Sequence, residues 1–289
     1  MLPFIQALIN GLLLGGIYAA FSAGFSLIFG VMGVVNIANG EMVMLGAFIT
    51  FWLFELVKID PFLSLPFSLI GLFCFGYLLQ RFIINRVVGA PPIMSYIMTF
   101  GIHLTLANLA LLAWSADPRV ITTSYSGANL SSLGLTIPLV QLATFGLAFI
   151  IIAGLYILLY RTQIGRAIQA TAQDREMARL MGISVHKVYA VTFGIGAAIT
   201  GISGSLIAAF RHVETGMGLP YTIIAFCVVV LGGMGYIPGA LVGGLILGVI
   251  SSLSTYLFTA GWSTAITFFL LYLILLFRPQ GILGKGIVE

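Results

Sequence analysis

Hydrophobic and polar positions along this chain separate into long apolar runs and short polar breaks. Apolar stretches fall at about 3–30, 40–57, 61–80, 91–115, 138–160, 188–210, 220–233, 239–258 and 262–277. A helix crossing the hydrocarbon layer needs about 17–25 such residues, so the pattern predicts eight or nine crossings. The short run 220–233 spans only with help from its neighbours or as part of an interrupted helix. The breaks carry turn chemistry: Lys58-Ile59-Asp60-Pro61, Gly89-Ala90-Pro91-Pro92, and a Ser/Gly/Asn-rich segment over 115–136. No soluble domain or low-complexity tail interrupts the pattern. The expected architecture is all-α: one polytopic transmembrane helix bundle over 1–289, with interrupted helices and one internal polar loop.

That loop, 161–187, reads RTQIGRAIQATAQDREMARLMGISVHK and holds seven of the twenty charged residues. It is built as a short helix. Gly165 and Arg166 open it, Ala167, Ile168, Ala170 and Ala172 are helix-compatible, and Gly182 can cap it. Its small residues would let another protein's surface come close, which is the form of a docking element.

Composition strengthens the membrane reading. Charged residues make up 7% and hydrophobic residues 60%, against roughly 25% charged in soluble domains. The 35 glycines suit close helix packing in lipid, where apolar side chains gain little by leaving the bilayer. Cys74 and Cys227 lie inside apolar runs and read as small packing residues. The chain begins MLPFIQALIN without a basic leader segment, so no cleavable signal peptide is expected. Basic residues also give an orientation. Arg81, Arg86, Arg161, Arg166, Arg175, Arg179, Lys187, Arg278 and Lys285 flank one set of span ends, and Lys58, Arg119 and Arg211 the other. The positive-inside rule places the loop and the C-terminus in the cytoplasm, the N-terminus outside, and 115–136 on the exterior.

The run Gly30-Val31-Met32-Gly33-Val34-Val35-Asn36 resembles Gly232-Gly233-Met234-Gly235-Tyr236-Ile237-Pro238, each where one span ends and another resumes. Two tight helical hairpins would give this pattern. So would paired interrupted segments beside a solute path, where irregular backbone must line a cavity or be buried. Both runs have the same direction in the topology above, which favours a parallel duplication.

Several chemistries have nothing to rest on. The nearest approach to a phosphate-binding loop, Gly281–Gly286, lacks the spacing and the hydroxyl residue, so ATP hydrolysis by this chain is not expected. No metal-ligand spacing or nucleophile–base pair appears, so neither a cofactor nor a metal is expected, and an enzyme is disfavoured. The basic balance reflects loop residues, so nucleic acid is not an expected partner. Four polar positions remain as candidates for a translocation path. Glu41 follows Asn36 and Asn39 at the start of a span, where an acid suits the helix dipole or meets a solute ammonium. His103 lies near the middle of 91–115, where it faces the bundle interior or bonds a neighbouring helix. Arg211, His212 and Glu214 read as a solvated cluster at the outer end of a span.

These residues carry a family resemblance. Phe29 to Glu41 (FGVMGVVNIANGE) resembles the F-G-x-x-G-x-x-N-x-A-x-G-E signature of branched-chain amino acid ABC transporter permeases of the LivH type. The polar loop resembles that family's coupling segment at Gly165, Arg166, Ala167, Ala170, Ala172, Asp174, Ala178, Leu180, Met181, Gly182 and Ile183. Leu231–Ala240 and Pro279–Gly284 are similar to a third motif and to the family's tail. The resemblance covers essentially the whole chain. It implies a permease subunit of a binding-protein-dependent importer in the inner membrane, moving branched-chain or other neutral amino acids. Implied partners are cytoplasmic ATP-binding subunits, a second permease subunit (related or identical), an external solute-binding protein, and membrane lipid. The coupling residues would be Gly165, Arg166, Ala170, Asp174 and Gly182. Asn39 stands where the family commonly has histidine, and His103 where it commonly has a small residue. Permeases for urea or short amides carry much the same motifs, and an ATPase-independent channel or carrier could use a similar bundle.

Overall fold

The computed structural model describes residues 2–132, 135–258, 260–278 and 280–284. Its elements follow the apolar runs closely. In order they are α1 (Leu2–Met32), α2 (Asn39–Val57), α3 (Leu65–Phe82), α4 (Pro92–Trp114), β1 (Asn129–Ser132), β2 (Leu135–Pro138), α5 (Leu139–Arg161), α6 (Gln163–Gln173), α7 (Arg175–Leu180), α8 (Val185–Ala208), α9 (Gly218–Gly232), α10 (Ile237–Leu257) and α11 (Ala260–Phe277). Seven helices among the described residues are long and apolar enough to cross a membrane: α1 to α5, α8 and α10. The run at 220–233 becomes α9, an apolar helix of 15 residues, and α11 is a further apolar helix of 18.

Glycines set the packing. Gly11 and Gly15 of α1 meet the backbone of Val249, Gly244 and Leu245, and Gly248 of α10 reaches back to Gly11 and Gly15. A β-carbon at any of these would collide with the opposing main chain. The same device joins α3 to α8, where Gly76 meets Ala197 and Gly201 meets Leu72. It also joins α2 to α8, through Gly46 on Gly201 and Gly204 on Val43. Hydroxyls reinforce the α3–α8 contact, where Ser205 Oγ and Ser68 Oγ are 2.7 Å apart, and tie α2 to the start of α3, where Thr50 and Ser64 pair at 2.7 Å. In lipid the close approach of small residues and such interhelical bonds supply what apolar burial cannot.

The arrangement overturns the expected parallel duplication. α1 and α8 cross the bundle in opposite directions, with Phe21 beside Thr200 and Ile28 beside Gly196. α1 packs along α10 as α8 packs along α3. The two units α1–α2–α3 and α8–α9–α10 are therefore related by reversal of direction. The two similar runs at 30–36 and 232–238 are not repeats of one position. They meet each other at one end of the bundle, where Gly30 lies against Gly235.

Helix ends gather on two faces. On one, the β1–β2 hairpin folds out of the segment expected as a plain loop, and the Gln6 amide pairs with both backbone groups of Thr136, at 2.9 and 2.7 Å. Arg119 and Val213 exchange backbone bonds there, and Tyr125 Oη donates to Asp60 Oδ2 at 2.6 Å. The other face carries α6, α7 and the ends of α1 and α9. Lys58, Arg119 and Arg211 lie towards the first face, and the described basic residues of α6 and α7 on the other; Pro279 and Lys285 lie outside the described residues. Cys227 is buried, whereas Cys74 is exposed on α3 and does not pack.

Candidate functional site: a buried polar site where two helices begin

After Met32 the chain does not turn straight into the next helix. Residues 33–38 run without regular structure back into the bundle, and α2 starts beside Thr200 of α8: the Thr200 hydroxyl is 3.3 Å from Asn39 Oδ1 and 3.4 Å from the Phe21 carbonyl. Thr200 lies about 22 Å along α8, at half the depth of a bilayer. Backbone freed at that depth must find partners, and two threonines supply them. Thr99 of α4 approaches the Val35 carbonyl at 2.9 Å. Thr222 of α9 donates to the Ile37 carbonyl and accepts from the Gly40 N–H, both at 2.8 Å. Neither threonine stands out in the sequence, because a hydroxyl within an apolar run gives no sign of which backbone it serves.

α9 begins at the same place. Gly40 lies on the Gly218 carbonyl, and a β-carbon on Gly218 would fall onto the Glu41 carboxylate. Glu41 therefore faces the positive ends of two helices, its own and α9, which favours a negative group there. Its Oε1 is 2.8 Å from His103 Nδ1. Of the two roles open to His103 in the sequence, the structure shows a bond to a neighbouring helix and burial in the interior together.

Glu41 is 1% exposed, yet its Oε2 has no hydrogen-bond partner among the described residues. The same holds for both amide atoms of Asn36, for Asn39 Nδ2, and for the hydroxyls of Ser22 and Ser26 on α1. Each such orphan costs about 1–3 kcal/mol when nothing else meets it. Buried polar groups are ordinarily hydrogen-bonded, so these unpaired atoms call for water or another group to complete them. Asn36, Asn39, Glu41 and His103 are thus brought together as a cluster on the interrupted segment, and Ser22 and Ser26 are added to the buried hydroxyls nearby.

The polar loop departs from its expected form in one respect. It is two helices, not one. Thr162 caps α6 by accepting from the Gly165 N–H at 3.0 Å, and Asp174 ends α6 and caps α7 by accepting from the N–H groups of Glu176 and Met177 at 2.8 and 3.0 Å. Gly182, at φ 82°, closes α7 as anticipated. Gly165 is not on a free face: it is buried on the Leu158 and Leu159 carbonyls, so its small size serves the chain's own packing. Ala170 is half-buried, while Arg166 and Asp174 are exposed. The outward face is formed instead by Met177, Leu180 and Met181, the last two 80% and 81% exposed. Beneath them, Ala178, Val185 and Tyr189 pack on Val31 and Met32, the last turn of α1. The loop thus rests on the residues that lead directly into 33–38.

The fold defines a multi-pass membrane protein with a discontinuous helix pair at its centre. Residues 7–277 match the family described as branched-chain amino acid transport system, permease component. The chain is 33% identical to the high-affinity branched-chain amino acid transport system permease protein BraD of Pseudomonas aeruginosa, over 99% of this chain and 97% of that one. It is 31% identical to LivH of Escherichia coli K12, described in the same words, over 100% and 98%. Among solved structures, PsaBC from Streptococcus pneumoniae in complex with Fab is similar in fold, with a TM-score of 0.50, 14% identity and 94% of each chain covered. This chain belongs to the family of branched-chain amino acid transport permease components. It is a permease subunit of an ABC-type amino acid importer, a transport subunit and not an enzyme.

Proposed function

We infer that this chain forms, as a single domain over 1–289, the path for branched-chain or other neutral amino acids through the inner membrane. The observation that carries this reading is the Glu41 carboxylate, buried where α2 and α9 begin, with Oε2 left over after Oε1 has met His103. A solute ammonium group would complete that oxygen. Asn36 and Asn39 would offer amide groups to the rest of the solute. Branched-chain amino acids are favoured over urea or short amides because the full-length relatives at 31–33% identity are named for that cargo.

The face bearing α6 and α7 is the cytoplasmic one in this reading, with the N-terminus outside. Cytoplasmic ATP-binding subunits dock on Met177, Leu180 and Met181, an apolar surface that lies outside the bilayer and would otherwise face water. A movement of α6 and α7 reaches Met32 and then the segment 33–38, whose residues hold the solute site. A second permease subunit and an external solute-binding protein complete the importer. Uptake of labelled leucine, alanine and urea by cells with and without this chain tests the reading. Leucine or alanine uptake that depends on the chain supports it, and dependence of urea uptake alone would overturn it.

A further inference from the structure

Three basic residues sit on the hairpin face, and two have structural occupations. Lys58 pairs with Glu55 at 3.8 Å. The Arg119 guanidinium lies over the rings of Phe51 and Trp52, 5.3 and 5.0 Å from their centroids. Arg211 is different. His212 and Glu214 approach each other at 3.9 Å on the surface, but Arg211 is in no ion pair among the described residues. It lines a recess of about 610 Å³ between α1, α10 and the hairpin. The three residues expected as one solvated cluster are therefore divided.

The recess is partly polar, with Gln6, Asn10, Gln141, Thr255 and Tyr18 among its walls, and of a size typical for small-molecule sites. Tyr18 on its wall begins a chain of three aromatic rings that leads into the core. Tyr18 meets Phe21 edge-on at 5.7 Å between centroids, and Phe21 meets Tyr221 likewise at 5.7 Å. Behind this wall, the Phe21 carbonyl shares Thr200 with Asn39. Tyr221 stands one turn along α9 from Gly218, the residue in contact with Glu41. A cation thus sits on one side of three rings and a carboxylate on the other.

We propose that the recess is an outer solute site in which Arg211 binds the carboxylate of the amino acid, with Tyr18, Phe21 and Tyr221 as the barrier between it and the Glu41 site. The proposal rests on the reading of the cargo given above. A guanidinium presents paired donors that match a carboxylate. A concave recess suits a small molecule better than the flat contact a protein partner makes. The dipolar solute would meet a cation first and an anion second, so its two ends are recognised at different depths.

The test uses the assembled transporter in proteoliposomes with Thr255→Cys, a position on the recess wall. The introduced thiol is labelled with an anionic sulfonate thiosulfonate reagent and with its cationic trimethylammonium counterpart. The anionic reagent should react faster, and leucine, but not leucinamide, should protect. Arg211→Gln should abolish the anionic preference and raise the leucine concentration for half-protection at least about tenfold, as expected for a lost charged hydrogen bond. Arg211→Lys should retain part of both. Leucine uptake with protection absent or indifferent to Arg211 overturns the site and leaves the cargo reading standing. Arg211-dependent protection without uptake overturns the cargo reading and leaves the site. Loss of solute-binding-protein capture in Arg211→Gln, with protection unchanged, reassigns Arg211 to a partner contact.

Discussion

His103 Nδ1 lies 2.8 Å from Glu41 Oε1, and this bond fastens the middle of α4 to the first turn of α2. The remainder of α4 is largely exposed, so the bond is a principal tie between that helix and the bundle. Loss of His103 leaves a buried carboxylate oxygen unsatisfied. We expect His103→Ala to lower stability by about 1–3 kcal/mol. Glu41→Gln and His103→Ala should be strongly non-additive in a double-mutant cycle read by thermal midpoint in detergent. Additive shifts would show that the pair is not coupled. His103→Ser should also change the ranking of transported solutes while ATPase stimulation by loaded binding protein stays largely unchanged.

Gly218 is constrained by Glu41 and not by its own backbone, since a β-carbon there falls on the carboxylate. Gly218→Ala should therefore destabilise the protein by roughly 1–3 kcal/mol, the usual cost of overpacking. Glu41→Ala in the same chain should restore folding but not uptake. Failure of the second change to restore folding would place the clash elsewhere.

Asn36 and Asn39 are almost wholly buried and contribute amide atoms without a partner among the described residues. Cysteines at these positions should react with small water-soluble thiol reagents in one nucleotide state and be protected in another. Inert thiols in every state would remove both residues from an aqueous path.

On the opposite side, Leu180 and Met181 are the expected anchors for the ATPase subunit. Leu180→Ser with Met181→Ser should release that subunit on purification, with membrane insertion unchanged. Ala170→Trp should abolish uptake with insertion intact. Gly165→Trp, in contrast, should fail by misfolding, because it would drive a ring into the end of α5. A well-expressed Gly165→Trp protein with wild-type uptake would contradict this packing.

Burial and the bond to Asp60 push the Tyr125 phenol well above its ordinary value of 10.0. A folded value raised in this way stabilises the outer loop fully below pH 10 and loses that contribution as pH rises through the raised value. Protease cleavage within 115–128 should accordingly increase above pH 10 in the wild type. Tyr125→Phe should show the increase already at pH 8, and equal cleavage of the two at pH 8 would rule out the anchor.

Much of this protein is written in one dimension. Apolar runs of spanning length specify a helix wherever water is absent, because the backbone can satisfy itself only locally. Nine runs became nine helices among the described residues, and Gly182 ended α7 where its freedom at positive φ predicted. The family motif marked Asn36 and Glu41, and Asn39 lies between them on the same interrupted segment, where neighbours cannot help being close. What lay beyond the sequence was every relation between distant segments. That Gly218 must be small because Glu41 occupies its side-chain space, and that Thr222 satisfies the backbone at Ile37 and Gly40, depend on contacts between residues far apart in the chain, and that Gly165 faces inward depends on how α6 folds back on the end of α5. The two similar glycine runs share a direction, as α1 and α9 both end where Gly30 meets Gly235, but that likeness marks close approach of backbones, and only packing shows which backbones approach. Hydrophobic length determined that the chain crosses a membrane, and tertiary contact decided where, inside it, polar groups are left without partners among the described residues.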